Sequence, residues 1–333
     1  MSDMLEQIRA LGDQLRWARD LEVPALAENQ EVLVGGMGGS GIAGDYGAAL
    51  AEPTAGRVAV HKGYGPLPGW VRRSKPTVVA ASYSGNTEET LDLVDAAVAE
   101  GLPIVTITTG GRLAELTSQH GWPGVSVPAG MQPRAAVGYM AGAVARLLTG
   151  VGILADQTGA LDEAAHLADS ATSEGSETWD LAKRIAQGLV GKVAIVYGGG
   201  PISATAAQRW KTQINENAKM PAWWSVLPEL DHNEIVGWET LPGTTKDLLA
   251  IVALTDRADH ERVGIRLGHT SALTASAVPW LAQVQAKGES ELARLISLTV
   301  SGDLVSYLLA LEAGVDPVPV ETIEKLKKLL AKD

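Results

Sequence analysis

The chain has 333 residues, of which 46% are hydrophobic, and its formal net charge is -12. This length predicts about two domains, each able to bury a sizeable core. The negative charge and the lack of a Lys/Arg-rich run argue against nucleic acid or an anionic membrane as partner. No apolar run reaches the roughly 18 residues that span a bilayer, and without cysteine the chain has no disulfide and no thiolate metal ligand.

The N-terminal segment and the four apolar runs after it predict the first half of the fold. Residues 1–23 have the pattern of a charged amphipathic helix, not of a signal peptide, which predicts a soluble and cytoplasmic protein. The runs EVLVGG, RVAVHK, TVVAASYS and PIVTITTG predict strands, and segments 42–51, 87–100 and 111–119 predict helices. This alternation is typical of a parallel sheet covered by helices on both faces.

The second half repeats the pattern after a helical connection. Residues 135–155 are small and apolar, which predicts a buried or interface helix, and the polar stretch 156–179 predicts a helical link. A strand, a glycine turn and a helix follow in GKVAIVYGGGPISATAAQRWKTQINENAK, and DLLAIVALT predicts a further strand. We therefore expect an α/β fold made of two doubly wound halves, residues 1–155 and 156–333.

The turn after the first predicted strand contains a glycine motif. Gly36, Gly38 and Gly41 in EVLVGGMGGSGIAGD satisfy G-x-G-x-x-G, the signature of a dinucleotide-binding turn. Such a site also needs an acidic residue at the end of the second strand to bind the ribose hydroxyls. That strand ends in His61 and Lys62 instead, which weakens the NAD interpretation and leaves NADP open, since Lys62 could bind a 2′-phosphate.

The turn after the third predicted strand favours a smaller ligand. ASYSGNTEET places Ser82, Ser84, Asn86 and Thr87 at the end of the strand, directly before a helix that Thr87 caps. Hydroxyls and free backbone N–H groups at a helix N-terminus form an anion site that needs no lysine. Ordinary turn chemistry explains one such motif. However, Ser40 in the first turn is expected at the same edge of the sheet, where ligands bind in this fold.

Five motifs, taken in order, resemble a known family. SYSGNTEET resembles the phosphate loop of sugar isomerase (SIS) domains, which bind phosphosugars. Together with GMGGSGIAGD, QPRAAVGY, INENAKMPAWW and PELDHNEIVGWE, it resembles the bifunctional phosphoglucose/phosphomannose isomerase family along nearly the whole chain. The resemblance implies two SIS domains: residues 1–155 with a leading helix, and residues 156–333 with a C-terminal helix that returns to the active site.

The resemblance also implies an activity and a substrate. Family members interconvert glucose 6-phosphate or mannose 6-phosphate with fructose 6-phosphate through a cis-enediol, and they need no metal or redox cofactor. One departure concerns the C2 epimer, because DPVP has Val318 where many members have threonine, which puts the mannose 6-phosphate activity in question. The implied phosphate ligands lie in the two turns: Gly39, Ser40, Ser82, Ser84 and Thr87.

Three further residues match the family's catalytic positions, and each has an ordinary structural alternative. Glu216 in INENAK is the implied base that moves a proton between C1 and C2, although most helix glutamates are simply solvated. Arg134 in QPRAAVGY would stabilise the enediolate, or else make a surface contact at a helix start. Lys327 in the C-terminal helix would help to open the sugar ring; its neighbours Lys325 and Lys328 leave a solvated lysine face as the alternative.

His232 in PELDHNE is the family's second ring-opening residue, acting on the O5 proton. A lone histidine is more often structural, and here the family position favours a catalytic role. Asp231, His232 and Glu234 are also metal-ligand types, so a metal site is the sharper alternative. The nearby His260 lies in an unrelated helical stretch, and no second ligand pair is spaced to join them, which disfavours a metal.

The segment between Glu216 and His232 bears on assembly. MPAWWSVLPEL is rich in proline and tryptophan and predicts an extended arm rather than a strand of the sheet. In related isomerases the ring-opening histidine comes from the neighbouring subunit, so the resemblance implies a homodimer with shared active sites. The C-terminal segment VETIEKLKKLLAKD has apolar residues at helical spacing, and we expect this helix to pack on the body of the protein.

Two proteins of other classes share part of these features. A non-catalytic phosphosugar-binding regulatory module would need the two loops but not Glu216, His232 and Arg134. Such regulators normally carry a DNA-binding helix-turn-helix, which the short N-terminal segment lacks. The other is an NADP-dependent oxidoreductase, and a cofactor-free assay with fructose 6-phosphate separates all three.

Overall fold

The computed structural model describes residues 3–330 and residue 332. The first half of the chain forms a sheet of five strands: β1 (Glu31–Gly35), β2 (Arg57–His61), β3 (Thr77–Ser82), β4 (Ile104–Thr108) and β5 (Gly124–Ser126). All neighbouring strands are parallel, and their order is β2-β1-β3-β4-β5. Every residue of β3 and β4 is buried, as expected for central strands with helices on both faces.

Seven α-helices are described in this half, and they surround the sheet or lead into it. They are α1 (Met4–Arg9), α2 (Leu11–Arg19), α3 (Gly38–Ala51), α4 (Gly69–Ser74), α5 (Glu88–Ala99), α6 (Gly111–His120) and α7 (Val137–Gly150). The four predicted strands of this half are confirmed, and so is Thr87 as the N-cap of α5. The predicted doubly wound parallel arrangement is likewise confirmed.

The second half contains a four-stranded sheet, also fully parallel. Its strands are β6 (Val193–Gly198), β7 (Ala222–Val226), β8 (Leu249–Thr255) and β9 (Trp280–Gln285), in the order β7-β6-β8-β9. Its helices are α8 (Thr158–Ala171), α9 (Glu177–Leu189), α10 (Pro201–Gln213), α11 (Glu234–Gly237), α12 (Pro242–Leu248), α13 (Glu261–Thr274), α14 (Glu291–Glu312) and α15 (Glu321–Leu330). The domain boundary at residues 155 and 156 stays a prediction.

The predicted extended arm is wrong, because its central part is an edge strand. β7 pairs with β6 in parallel register from Ala194 opposite Ala222 to Gly198 opposite Val226. Pro221 precedes the strand, a position where the missing N–H costs no ladder bond. Trp223 and Trp224 are 58% and 38% exposed because an edge strand is covered on one side only.

Helix α14 forms the centre of the hydrophobic core. It is long and apolar enough to cross a membrane by length and composition, yet 89% of its most apolar window is buried inside the protein. It packs against α8, α9 and α10, and the core cluster around it includes residues of both halves. The glycine at position 302 lets the ring of Trp210 approach closely: an added Cβ would lie 2.3 Å from its Cδ1 atom.

The C-terminal helix α15 does not pack on the body of its own chain as predicted. Ile323, Leu326 and Leu330 are 42%, 55% and 51% exposed. Amphipathic spacing determines that a helix has an apolar face, but it does not determine which surface covers that face. The described chain leaves it open to solvent.

We expect Gly302→Ala to lower the free energy of unfolding by about 1–3 kcal/mol, because the new methyl group overpacks the rigid indole of Trp210. Denaturant titration of the purified protein measures this. Gly268→Ala is the matched control, since an added Cβ there meets no atom within 4 Å and its helix should gain up to about 1 kcal/mol. Equal stability of the two variants would show that the core accommodates the methyl group.

Candidate active site

The two turns singled out in the sequence meet at the point where the order of the first sheet reverses. From β1 the chain moves outward to β2, and then returns to place β3 on the other side of β1. The loops after β1 and β3 therefore lead in opposite directions and leave a crevice between them. Ligands of open α/β sheets bind in such crevices, beyond the carboxyl ends of the strands.

The turn after β1 fits against its neighbours because it lacks side chains. An added Cβ at Gly36 would lie 2.8 Å from the carbonyl oxygen of Ala81, and one at Gly39 would lie 2.6 Å from that of Pro133. Only glycine allows this approach to both β3 and the segment of Pro133. Ser40 then enters α3 and is 6% exposed.

Hydrogen bonds join this turn to the one after β3. The Oγ of Ser40 accepts a bond from the backbone N–H of Tyr83 at 3.1 Å. The Oγ of Ser82 accepts one from the N–H of Gly85 at 3.1 Å and bonds to the hydroxyl of Thr87 at 2.8 Å. The structure thus brings the predicted serine and threonine residues into one crevice.

Ser84 and Lys62 are the two other side chains near this crevice that the sequence singled out. Ser84 is exposed, and its Oγ accepts a bond from the N–H of Asn86 at 3.3 Å. The ammonium group of Lys62, considered above for a 2′-phosphate, is paired with Asp45 of α3. That pairing further disfavours the NADP interpretation.

Arg134 lies between this crevice and the second half of the chain. It sits in a single 3₁₀ turn, Pro133–Ala135, just before α7, and its side chain is buried. Its Nε donates to the Oδ1 of Asn217 at 2.7 Å, and its Nη2 donates to the carbonyl oxygens of Pro317 and Val318 at 2.7 and 2.9 Å. The predicted alternative of a surface contact is therefore wrong.

Glu216 lies beside Arg134 on a distorted helical turn. Helix α10 continues as a π-helix, Ile214–Ala218, a form that is frequent at functional sites. The Oε2 of Glu216 is 3.7 Å from the Nη1 of Arg134, and the side chain is 27% exposed. Burial lowers the pKa of Arg134, and the charge of Glu216 opposes that shift.

A cavity of about 680 Å³ opens next to Glu216. Its wall includes Asn215, Lys219, Val315 and Asp316, and residues 319–323, which contain the first turn of α15. The C-terminal helix therefore begins at this cavity. Lys327 lies one turn further along α15 and is exposed, as are its neighbours Lys325 and Lys328.

A buried ion pair that we did not predict binds the backbone of Arg134. The Nη2 of Arg209 in α10 donates to the backbone oxygen of Arg134 at 3.1 Å and to the Oδ2 of Asp303 in α14 at 2.8 Å. Arg209 and Asp303 are both buried. A single aspartate in the apolar run LTVSGDLVSYLLAL was the available signal, because a lone buried charge needs a partner.

His232 is exposed and does not line the cavity beside Glu216. It ends a 3₁₀ turn, Glu229–His232, that follows β7. Its acidic neighbours hold that turn in place: Asp231 accepts bonds from Arg266 at 3.1 Å and from Thr270 at 2.7 Å. Within residues 3–330 and 332, no three His, Cys, Asp or Glu side chains are grouped so as to hold a metal ion.

Glu234, the other acidic neighbour of His232, accepts a bond from the hydroxyl of Tyr197 in β6. The two carboxylates considered as metal ligands are therefore engaged in anchoring the segment that presents His232.

Comparison with known proteins assigns the chain to a family. A protein of Caldicellulosiruptor bescii named bifunctional phosphoglucose/phosphomannose isomerase is 38% identical to it over 338 residues, which are 98% of this chain and 99% of the relative. The chain belongs to this isomerase family. A Sulfolobus acidocaldarius relative named D-glucosamine-6-phosphate 4-epimerase is 34% identical over 72% of this chain and 73% of its own length.

Two other comparisons agree with this assignment. Residues 179–330 match the family model described as bacterial phospho-glucose isomerase C-terminal SIS domain. The C-terminal domain of glucosamine-fructose-6-phosphate aminotransferase from Francisella tularensis superposes with a TM-score of 0.73, at 14% identity, covering 96% of this chain and 98% of that one. The likeness to the solved structure shows that the whole chain shares its fold.

The second sheet of this isomerase family member has a corresponding crevice beyond β6 and β8. A carboxylate of the protein itself occupies it. Ser203 comes five residues after the end of β6, as Ser40 does after β1. Its hydroxyl donates to the carboxylate of Asp259 at 3.1 Å, and the N–H of Asp256 donates to the same carboxylate at 2.8 Å. Burial raises the pKa of Asp259, and an internal carboxylate takes the place that an anion would occupy.

We expect Asp303→Ala to lower the free energy of unfolding by about 3–5 kcal/mol, because it leaves the charge of Arg209 buried without its partner. Denaturant unfolding measures the change. Glu289→Ala is the matched control: it removes an exposed ion pair with Arg257, 2.9 Å long, and should cost about 0–1 kcal/mol. A cost below that of the control would mean that Arg209 needs no counter-ion.

Proposed function

We propose that this protein is an aldose–ketose isomerase that interconverts glucose 6-phosphate, and also mannose 6-phosphate, with fructose 6-phosphate. One observation carries the proposal. Arg134 follows Pro133, which touches the hydroxyl-rich crevice of the first sheet, and its guanidinium lies 3.7 Å from the carboxylate of Glu216 in the second half. Arg134 thus links the proposed phosphate anchor to the candidate base, and isomerisation of a phosphosugar requires both groups to act on one substrate.

The phosphate anchor in this proposal is the crevice between β1 and β3. The N-termini of α3 and α5 direct backbone N–H groups and positive dipole ends toward it. The Oγ of Ser40 accepts a bond from Tyr83, which leaves its own hydrogen for a phosphate oxygen. The remaining proposed contacts are those implied by the family: Gly39, Ser82, Ser84 and Thr87.

Glu216 is the proposed base. For glucose 6-phosphate, its carboxylate removes the C2 proton and negative charge develops on O1 of the enediolate. The proton of the 2-hydroxyl then moves from O2 to O1, and the proton held by Glu216 is delivered to C1. Arg134 supports this step as a fixed positive charge, because its Nε and Nη2 are bonded to protein oxygens and its Nη1 faces Glu216. No step in this scheme needs a redox cofactor.

Ring opening is assigned to His232 and Lys327, and we propose a homodimer to bring them to the site. His232 is exposed at the outer edge of the second sheet, outside the cavity of its own Glu216. The exposed Trp223 of β7 and the open apolar face of α15 around Leu326 are surfaces that a second copy would cover. Each active site would then be built from both chains.

Substrate range and location are further parts of the proposal. The carbonyl oxygen of Val318 is bonded to Arg134, but its side chain lacks the hydroxyl found in many family members, so we expect glucose 6-phosphate to be preferred over mannose 6-phosphate. A cytoplasmic location is part of the proposal, since charged hexose phosphates do not enter a bilayer unaided. A regulatory module that only binds a phosphosugar would not need Glu216 beside Arg134, so this pair disfavours that alternative.

The direct test is a coupled, cofactor-free isomerase assay on the wild-type protein and on Glu216→Gln. The amide keeps the shape of the side chain and removes the base, so we expect kcat to fall by about 10²–10⁴-fold while a phosphate-bearing inhibitor still binds. Glu52→Gln, a change at an exposed glutamate, is the control and should leave kcat unchanged. Full activity of Glu216→Gln would assign the base to another residue.

The same assay separates the other candidate functions. A wild-type protein that binds fructose 6-phosphate without turning it over would be a regulatory module. D-glucosamine 6-phosphate is included as a substrate because one relative is named for that compound. Turnover of it in preference to fructose 6-phosphate would overturn the isomerase assignment.

A mixed dimer tests the shared site. Glu216→Gln and His232→Ala are each expected to be inactive alone. When mixed, each heterodimer holds one doubly altered site and one intact site, so it should recover about half of the wild-type activity per heterodimer if subunits exchange. Verified heterodimers that remain inactive would show that His232 serves its own chain.

A further inference from the structure

Lys219 has an unusual backbone and an unusual set of partners. It directly follows the π-helix of Glu216, and its φ of +57° is rare for a residue with a side chain. Its Nζ donates to the carbonyl oxygen of Glu216 at 2.7 Å and to that of Asn217 at 3.4 Å. These carbonyls end the helix and have no partner within it, so the ammonium group caps the turn that carries Glu216.

The third partner of Lys219 belongs to a distant segment of the chain. Its Nζ donates to the carbonyl oxygen of Pro317 at 3.1 Å, and the Nη2 of Arg134 donates to the same oxygen at 2.7 Å. Two cations therefore hold one backbone oxygen. Residue 317 leads into α15, and its neighbours Asp316 and Pro319 line the cavity beside Glu216.

The positive charges of Lys219 and Arg134 lie close together, which is electrostatically unfavourable. Burial lowers the pKa of Lys219, and the nearby charge of Arg134 lowers it further, while Asp316 and Glu216 oppose the shift. Two like charges that share one carbonyl oxygen repel each other. Lys219 nevertheless joins the turn of Glu216 to the segment that leads into α15.

We propose that Lys219 is a positioning residue for the isomerase reaction, which sets the orientation of Glu216 and the place where the C-terminal helix begins. The inference rests on the proposed function. The Nζ of Lys219 has three backbone oxygens within hydrogen-bond distance, so we infer that it acts through Glu216 and through the segment of Pro317 rather than on the sugar.

The experiment compares Lys219→Asn with Lys192→Asn in the full-length protein. Asparagine tolerates the left-handed backbone but is too short to reach Pro317. Lys192 is a matched control, because its Nζ also donates to two backbone oxygens, at 2.6 and 3.1 Å, and these belong to Lys246 and Asp247 rather than to Glu216 or Pro317. Lys219→Gln, which keeps a neutral donor, is the second variant in case the first does not fold.

Two measurements distinguish positioning from mere stabilisation. We expect kcat to fall about 10- to 100-fold in Lys219→Asn, with KM for fructose 6-phosphate nearly unchanged, because a base displaced by about 1 Å loses rate and the phosphate anchor is intact. With fructose 6-phosphate deuterated at C1, the share of label delivered to C2 should also drop, since a displaced base loses more of it to water. Lys192→Asn should change neither quantity.

Several results would overturn the proposal. One is a Lys219→Asn variant that, like Lys192→Asn, loses only thermal stability. A second is a raised KM at constant kcat, which would mean that Lys219 binds substrate. A third is failure of both Lys219 variants to fold. An inactive wild-type protein would overturn the isomerase function itself, whereas an active wild type with an unaffected variant overturns only the role of Lys219.

Discussion

The buried ion pair between Arg209 and Asp303 is the interaction on which the arrangement of the site depends. Arg209 belongs to α10 and Asp303 to α14, so their charges must meet in the core of the second half. A charge buried there without its partner would cost several kcal/mol. The same guanidinium also binds the backbone oxygen of Arg134, a residue of the first half. The ion pair therefore ties the core of the second half to Arg134 of the first half.

The two sheets share a fold but contribute different chemistry. The first keeps an open crevice lined with hydroxyl groups, whereas the corresponding crevice of the second is closed by the carboxylate of Asp259. The second half contributes instead the C-terminal end of α10, where the helix widens into the turn of Glu216. This asymmetry accounts for a single proposed phosphate site in a chain with two related sheets. It also explains why the proposed site uses residues of both halves.

Several features were predictable from local pattern alone. The buried runs of β1, β3 and β4, the helix start at Thr87 and the serine-rich crevice follow from residue types that act on their immediate neighbours. The strand β7 was not predictable, because its prolines and tryptophans are equally typical of an extended arm, and only pairing with β6 distinguishes the two. The same holds for α15: its spacing of apolar residues predicts an apolar face, but it does not predict which surface covers that face.

The sequence by itself determined the fold class, the family and the residue types of the site, since these depend on periodicity and on motifs a few residues long. Only the tertiary structure revealed that Arg134 is buried, that Asn217 holds its guanidinium, and that Lys219 reaches across to Pro317. Those contacts join residues that are 83 and 98 positions apart. Hydrogen bonds over such separations leave no local pattern, because their partners meet only when the chain has folded. For the buried Arg134, the cost of leaving a charge unpaired selects such partners.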